Sequence, residues 1–318
     1  MASKTSRAVW IIVGTTLVLV LVILTGSLFS PSDSSGPASA MLRGRASGSV
    51  AVVPIEGPIF NARPVIKQLH ARSEDKSIKA LVVRVDSPGG GVVPSQEIYN
   101  KIRRIREGGK PVVVSFGSTA ASGGYYVASA ADWIVSNPGT ITGSIGVLIE
   151  TAKFHKLLAK IGVESVVIKN SKGTFKDILN PARDMTGEEE RLLKSLLDST
   201  FDQFVDAIVE GRKMDRAEVL AVADGRIFTG VQAAAAGLVD QVGDLDAAIA
   251  KAGELAKLGP DPHVIYPRRP KPTIFNLFPD QDDEWSGPDE TPFLGKLLGR
   301  QIAQHLEFNG LLFYLMPR

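Results

Sequence analysis

Ala80-Leu81-Val82-Val83-Arg84-Val85-Asp86-Ser87-Pro88-Gly89-Gly90-Gly91 carries the reading of the fold. Its first half is a short apolar, β-branched run, which predicts a buried strand over Ala80–Val85. Asp86 to Gly91 then turns the chain, and a helical pattern follows over Ser95–Arg106. The same alternation recurs on both sides. Strands are predicted over Val50–Ile55, Pro111–Phe116, Trp133–Ser136, Ile145–Ile149 and Ser165–Lys169, and helices over Pro64–Arg72, Gly123–Ala131 and Lys153–Ile161. Strands separated by helices of this length pair in parallel through right-handed crossovers, so the class is α/β. A long helix is predicted from Thr186, where Thr186 and Glu189 form a capping box. Leu192, Leu193, Leu196, Leu197, Phe201, Phe204, Val205 and Ile208 recur along it at helical spacing and predict one face packed on the core. Further helices are expected near Gly230–Ala236 and Leu245–Leu258.

At the N-terminal side, Ala8–Phe29 contains no charged residue. About 22 residues at about 1.5 Å each span roughly 33 Å, enough for a bilayer core. Lys4 and Arg7 precede the segment and no Lys or Arg follows until Arg43. That bias leaves the N-terminus in the cytoplasm and the remaining chain outside, as a single-pass protein of the inner (cytoplasmic) membrane. Ala38-Ser39-Ala40 offers the alternative of a cleaved secretory signal. The expected organisation is therefore a cytoplasmic N-terminus and anchor at 1–30, a flexible Ser/Gly/Pro/Ala-rich linker at 31–48, a folded domain at 49–258, and a Pro-rich segment with an apolar tail at 259–318.

Composition removes several classes. With no cysteine among 318 residues, thiolate nucleophiles, disulfides and zinc ribbons are excluded. The 36 basic and 34 acidic residues leave a net charge of +2, no field for nucleic acid. His70, His155, His263 and His305 have no metal-ligand spacing and no triad-like context. Neither a metal nor a cofactor is expected.

The glycine-rich segments carry the chemistry. Asp86–Gly91 lacks the Gly-Lys-Ser/Thr of a phosphate loop, which leaves paired backbone donors for an oxyanion as its other use. Thr119-Ala120-Ala121-Ser122-Gly123-Gly124-Tyr125-Tyr126 places a serine at a strand–helix junction among small residues. Ser122 reads either as an N-cap or as a nucleophile at orphan helix N–H groups. The clearance on both sides favours the nucleophile. Such a serine needs a base, and with the histidines poorly placed a lysine remains. A lysine serves only when unprotonated, against a reference value of about 10.4, and burial among apolar neighbours brings lysines toward roughly 7–8. Lys176, within Gly173-Thr174-Phe175-Lys176-Asp177-Ile178, has the apolar neighbours; Lys169 and Lys172 are rivals in more polar settings. Asp177 complicates the choice, because its carboxylate must point away from the Lys176 amine.

Together with Thr142-Gly143-Ser144-Ile145-Gly146-Val147 and Ala223-Asp224-Gly225-Arg226, these segments resemble, in order, the motifs of the signal peptide peptidase SppA (protease IV) family, in its short single-domain bacterial form. The similarity runs from about Val50 to Gly243. It implies a fold of the ClpP/crotonase group, built from stacked strand–strand–helix turns, and a serine endopeptidase with a Ser/Lys dyad. By the same resemblance Ser122 is the nucleophile, Lys176 the general base, and Ser144 the hydroxyl that orients the lysine. The N–H groups of Gly90 and Gly123 are the implied oxyanion donors. The implied substrates are apolar peptides left over from signal sequences. The implied assembly is a homo-oligomeric ring, with each dyad completed between neighbouring subunits. Two alternatives are a crotonase-type enzyme acting on acyl thioesters and a catalytically silent membrane scaffold.

Overall fold

Alternation within the apolar runs decides which layer each side chain joins. On β1 (Ser49–Glu56), β2 (Ile78–Ser87) and β3 (Val112–Ala121), one set of alternate residues includes Val53, Ile55, Leu81, Val83, Val85, Val114 and Phe116. They pack with Leu69 of α1 (Arg63–Glu74) and with Ile98 and Ile102 of α2 (Val92–Glu107). The other set, Val50, Val52, Ala80, Val82 and Val113, packs against Ala248, Ile249 and Ala252 of a C-terminal helix, Leu245–Leu255. Both faces of the parallel sheet are thus covered, which is why these strands read as nearly continuous apolar runs. The computed structural model describes residues 48–267. The expected membrane segment, nearly all of the expected linker and the tail beyond Pro267 lie outside them. Among the described residues no helix is long and apolar enough to cross a membrane.

The sheet is mixed and runs in the order β6 (Ile227–Thr229), β5 (Ile141–Gly143), β3, β2, β1 and β8 (His263–Ile265). β1, β2 and β3 pair in parallel, in register Val50↔Ala80 and Leu81↔Val112. β3 changes partners along its length. Val113–Ser115 pair with β4 (Trp133–Ser136), which pairs in turn with β7 (Gln241–Val242). Thr119–Ala121 pair instead with β5 (Ile141–Gly143), which pairs antiparallel with β6 (Ile227–Thr229). Asp86 sits at the change-over: its Oδ1 accepts the Thr119 N–H at 3.0 Å. A Cβ on Gly117 would lie 2.6 Å from the Asp86 Cγ, so only glycine lets the two strands approach there. The change of partner leaves the end of β3 between β2, through Ser87 and Ala120, and β5. α3 (Gly123–Ala128) starts at that point.

Two expected strands are absent. The chain pairs over Ile141–Gly143, but Ser144 takes a φ of 51° and the extended run stops before Ile145–Ile149. Ser165–Lys169 has the composition of a strand, yet within the described residues no neighbouring strand meets it and no backbone hydrogen bond uses it. The helix expected over Lys153–Ile161 is shorter, α4 at His155–Lys160.

The long helix, α5 (Gly187–Arg212), starts as predicted: the Thr186 side chain accepts the Glu189 N–H, and the Glu189 carboxylate accepts the Thr186 N–H. Its apolar stripe divides. Phe204, Val205, Ala207 and Ile208 enter the core, whereas Leu192 and Leu196 are exposed. Three helices complete the order: α6 (Arg216–Val222), α7 (Gly230–Ala235) and α8, the helix over Leu245–Leu255.

The buried Glu189 carboxyl is held down at about 2, first by hydrogen bonds from Arg183 and then by the Thr186 N–H. A carboxyl lowered in the folded state contributes stability above its unfolded value, near 4.5, and loses it as the pH falls toward about 2. Urea melts between pH 6 and pH 3 should show stability falling in wild type and a flatter dependence in Glu189→Gln; equal slopes would count against this assignment.

Candidate active site

Ser122 joins β3 to α3, and the junction is strained. The residue takes φ 51° and ψ −119°, outside the usual regions for a side-chain-bearing residue. Such a conformation costs on the order of 1–3 kcal/mol and persists only where the surroundings enforce it. The Ser122 side chain makes no capping hydrogen bond, so the N-cap reading does not apply. Backbone contacts lock the turn: the Ser122 N–H donates to the Gly143 carbonyl at 2.8 Å, and the Tyr126 N–H donates to the Ser122 carbonyl at 2.8 Å.

The glycines around the serine are glycines for lack of space. A Cβ on Gly123 would stand 2.5 Å from the Ser95 hydroxyl and 3.2 Å from the Gly90 nitrogen. On Gly90 it would stand 2.3 Å from the Ile59 carbonyl oxygen. A Cβ on Gly89, which takes φ 105°, would stand 2.9 Å from the Ser122 Cβ. The Ile59 N–H donates to the Gly89 carbonyl, and the Gly91 N–H to the Ile59 carbonyl. These two bonds turn the Gly90 N–H away from Ile59. Neither the Gly90 N–H nor the Gly123 N–H, the first of α3, has a protein acceptor among the described residues. Because α3 has only six residues, these individual N–H groups, more than a long helix dipole, set the local electrostatics.

Ser122, Ser144, Gly90 and Gly123 all line one open cleft of about 840 Å³. Apolar side chains including Val93, Val147, Leu148, Phe201 and Phe204 form much of its wall. Among the described residues its titratable groups are Glu150, Asp198, Asp224 and Tyr126, and no histidine or lysine lines it. Burial raises the Tyr126 hydroxyl, and hydrogen bonds from Arg226 lower the Asp224 carboxyl to about 2. His155 lies elsewhere, with its Nε2 3.8 Å from the Asp184 carboxylate. Among the described residues no group of His, Cys, Asp or Glu side chains is arranged to hold a metal ion.

The Ala223–Arg226 segment is a structural clamp, a role that no local feature of the sequence announces. The Ser144 N–H donates to the Arg226 carbonyl at 2.8 Å, and the Gly225 N–H to the Ile145 carbonyl at 3.1 Å. Ser144, like Ser122, has φ 51°. Four of the five motif segments therefore meet at the cleft. The fifth stands apart: Lys176 lies in an exposed turn closed by its own N–H on the Gly173 carbonyl, and it does not line the cleft of its own chain.

The family model of peptidase family S49 matches residues 104–259, and that of Clp protease matches residues 53–135. A protein of Synechocystis named as a protease is 45% identical over 214 residues, covering 67% of this chain and 76% of the relative. The chain belongs to peptidase family S49. As an S49 member it is a serine peptidase of the signal peptide peptidase group, and its sheet has a Clp-protease-like region. A signal peptide peptidase SppA of Enterococcus faecium is 39% identical over 184 residues, 58% of this S49 chain and 53% of the relative. Protease 4 of Salmonella typhi is 34% identical over 242 residues, 73% of this chain and 38% of the relative. The chain thus spans about half of the first of these two proteins and less of the second.

Proposed function

We propose that this chain is a membrane-anchored endopeptidase that degrades remnant signal peptides, with Ser122 as nucleophile and Lys176 as general base. The observation that carries the reading is the strained, uncapped Ser122 at an apolar cleft, beside the unpaired N–H groups of Gly90 and Gly123. In this reading the Lys176 amine takes the hydroxyl proton as the Ser122 Oγ attacks the peptide carbonyl. The oxyanion forms against the Gly90 and Gly123 N–H groups. Collapse releases the amine product with the proton from Lys176, and a water activated by the same amine frees the acyl-enzyme. Ser144, on the cleft wall, is the hydroxyl that orients the amine. Val147–Ile149 have no backbone hydrogen bonds among the described residues, so an extended apolar peptide can pair along them.

Lys176 reaches the cleft from a neighbouring subunit. What supports this is its exposed position together with the apolar surface that shares its segment: Ile168 is 92% exposed, Val166 76% and Ile161 63%. A second copy of the chain, in a homo-oligomeric ring, would cover this surface and dry the amine. The apolar segment Ala8–Phe29 is the proposed anchor, with the peptidase domain outside the cytoplasm. A fluorophosphonate probe tests the dyad: it should label wild type and fail to label either Ser122→Ala or Lys176→Ala. Labelling that persists in both variants sinks the reading.

A further inference from the structure

The carboxylate of Asp177 follows Lys176 in the chain, and an anion close to an amine favours the protonated form, which cannot take a proton from serine. In the structure that carboxylate is engaged elsewhere. Its Oδ1 accepts from the Lys169 Nζ at 2.5 Å and its Oδ2 from the Arg183 Nε at 3.0 Å, leaving the side chain 13% exposed. Lys169 also donates to the Thr174 carbonyl at 3.0 Å, which closes the turn on itself. Lys176 forms no ion pair among the described residues.

Arg183 uses all five of its guanidinium donors. Nε goes to Asp177. Nη1 reaches the Glu189 Oε2 at 2.8 Å and the Asp184 carbonyl at 3.0 Å. Nη2 binds the Glu189 Oε1 and, at 3.0 Å, the Asp177 carbonyl. Glu189 is itself fixed by the Thr186 N–H at 2.8 Å. A continuous path therefore runs from the first turn of α5 to the residue beside Lys176. The charged groups around it come from three places. Lys169 and Lys172 share the turn; Lys153, two residues before α4, and His155, its first residue, face Asp184; Glu189 and Glu190 belong to the first turn of α5. Hydrogen bonds from Arg183 and then Lys169 keep the Asp177 carboxyl far below the usual carboxylate range. It stays ionised wherever the enzyme works, so the direction of its charge matters and its titration does not.

We propose that Arg183 is a positioning residue for the base: it holds the Asp177 carboxylate away from the Lys176 amine and ties the Lys176 turn to the start of α5. The proposal rests on Lys176 acting as the base, as proposed above. A lysine at 183 carries the charge but lacks the planar fork, and cannot hold Asp177 and Glu189 together.

The test is the pH profile of kcat/KM on a fluorogenic apolar peptide, read on full-length protein whose assembly is checked by native mass. Arg183→Gln should move the acidic limb upward by about one pH unit and lower kcat at pH 7 about tenfold, with KM little changed. Arg183→Lys should fall between Arg183→Gln and wild type. Asp177→Asn in the Arg183→Gln background should bring the limb back, because the charge to be restrained is gone. The proposal is overturned by an unmoved limb in assembled Arg183→Gln or by a double variant no better than the single. If Arg183→Gln fails to assemble, Asp177→Asn alone decides: a limb that stays or moves lower supports the proposal, and one that moves higher overturns it. Probe labelling separates the two ideas. Labelling that persists in Lys176→Ala and Ser122→Ala removes the dyad itself, whereas a labelled, dyad-dependent enzyme with an unmoved limb removes only the role of Arg183.

Discussion

Replacing Ser122 by alanine is expected to lower kcat/KM on an apolar peptide by about 10⁴-fold or more, leaving the fold intact. The cleft keeps its apolar walls and its Gly90 and Gly123 donors, so peptide still binds but no acyl-enzyme forms. Stability separates the nucleophile from a merely structural serine. Alanine at φ 51° is as strained as serine, so Ser122→Ala should melt close to wild type. Ser122→Gly should gain about 1 kcal/mol, because glycine occupies this conformation without the Cβ conflict. A stable, inactive Ser122→Gly means that strain is maintained at this position for chemistry. A Ser122→Gly that is no more stable than Ser122→Ala would contradict that account, and substantial activity in Ser122→Ala would end it.

Much of the sheet was legible because burial on two faces leaves a plain mark: continuous Val, Ile and Ala runs ended by glycine and proline. Thr186 and Glu189 marked the start of α5 because a capping box depends on residues three positions apart and on nothing distant. The misread elements share one property. Ser165–Lys169, Leu192 and Leu196 look like core in the sequence, yet the described chain leaves Ile168 and Leu196 exposed. Apolar surface that another molecule covers obeys the same patterning as apolar surface covered by its own chain, so periodicity cannot separate the two. The expected strand over Ile145–Ile149 failed for a different reason. Its composition suits a strand, but the Ser144 backbone turns at φ 51°, stabilised by the carbonyl of Arg226, more than 80 positions along the chain.

The site divides in the same way. Small residues around Ser122 were a readable signal because the Ile59 backbone at Gly90 and the Ser95 hydroxyl at Gly123 leave no room for a Cβ. The direction of the Asp177 carboxylate was not readable. It depends on Arg183, which is itself set by Glu189 and Thr186, and a charge on an adjacent residue looks the same whichever way it points. Nor could local sequence show that Lys176 lies outside its own chain's cleft, since apolar neighbours at Phe175 and Ile178 predict burial without saying by what.

Mixing inactive variants should produce the other large effect. If each site takes its serine from one subunit and its lysine from the next, co-assembling Ser122→Ala with Lys176→Ala in equal amounts restores about a quarter of the sites, from two parents that are both silent. Were the dyad completed within one chain, every chain in that mixture would lack one partner and the mixture would stay silent. Wild type mixed with the Ser122→Ala/Lys176→Ala double variant gives an independent arm. Shared sites leave about a quarter of them intact, whereas self-contained sites leave about half. The two arms fail differently. Poor co-assembly lowers recovery in the first and raises retained activity in the second, so a silent first arm with half-activity in the second must be paired with native masses of the mixed particles. With mixed particles present, that pattern rules out a dyad shared between subunits. A quarter in both arms places the Lys176 of one chain at the Ser122 of another.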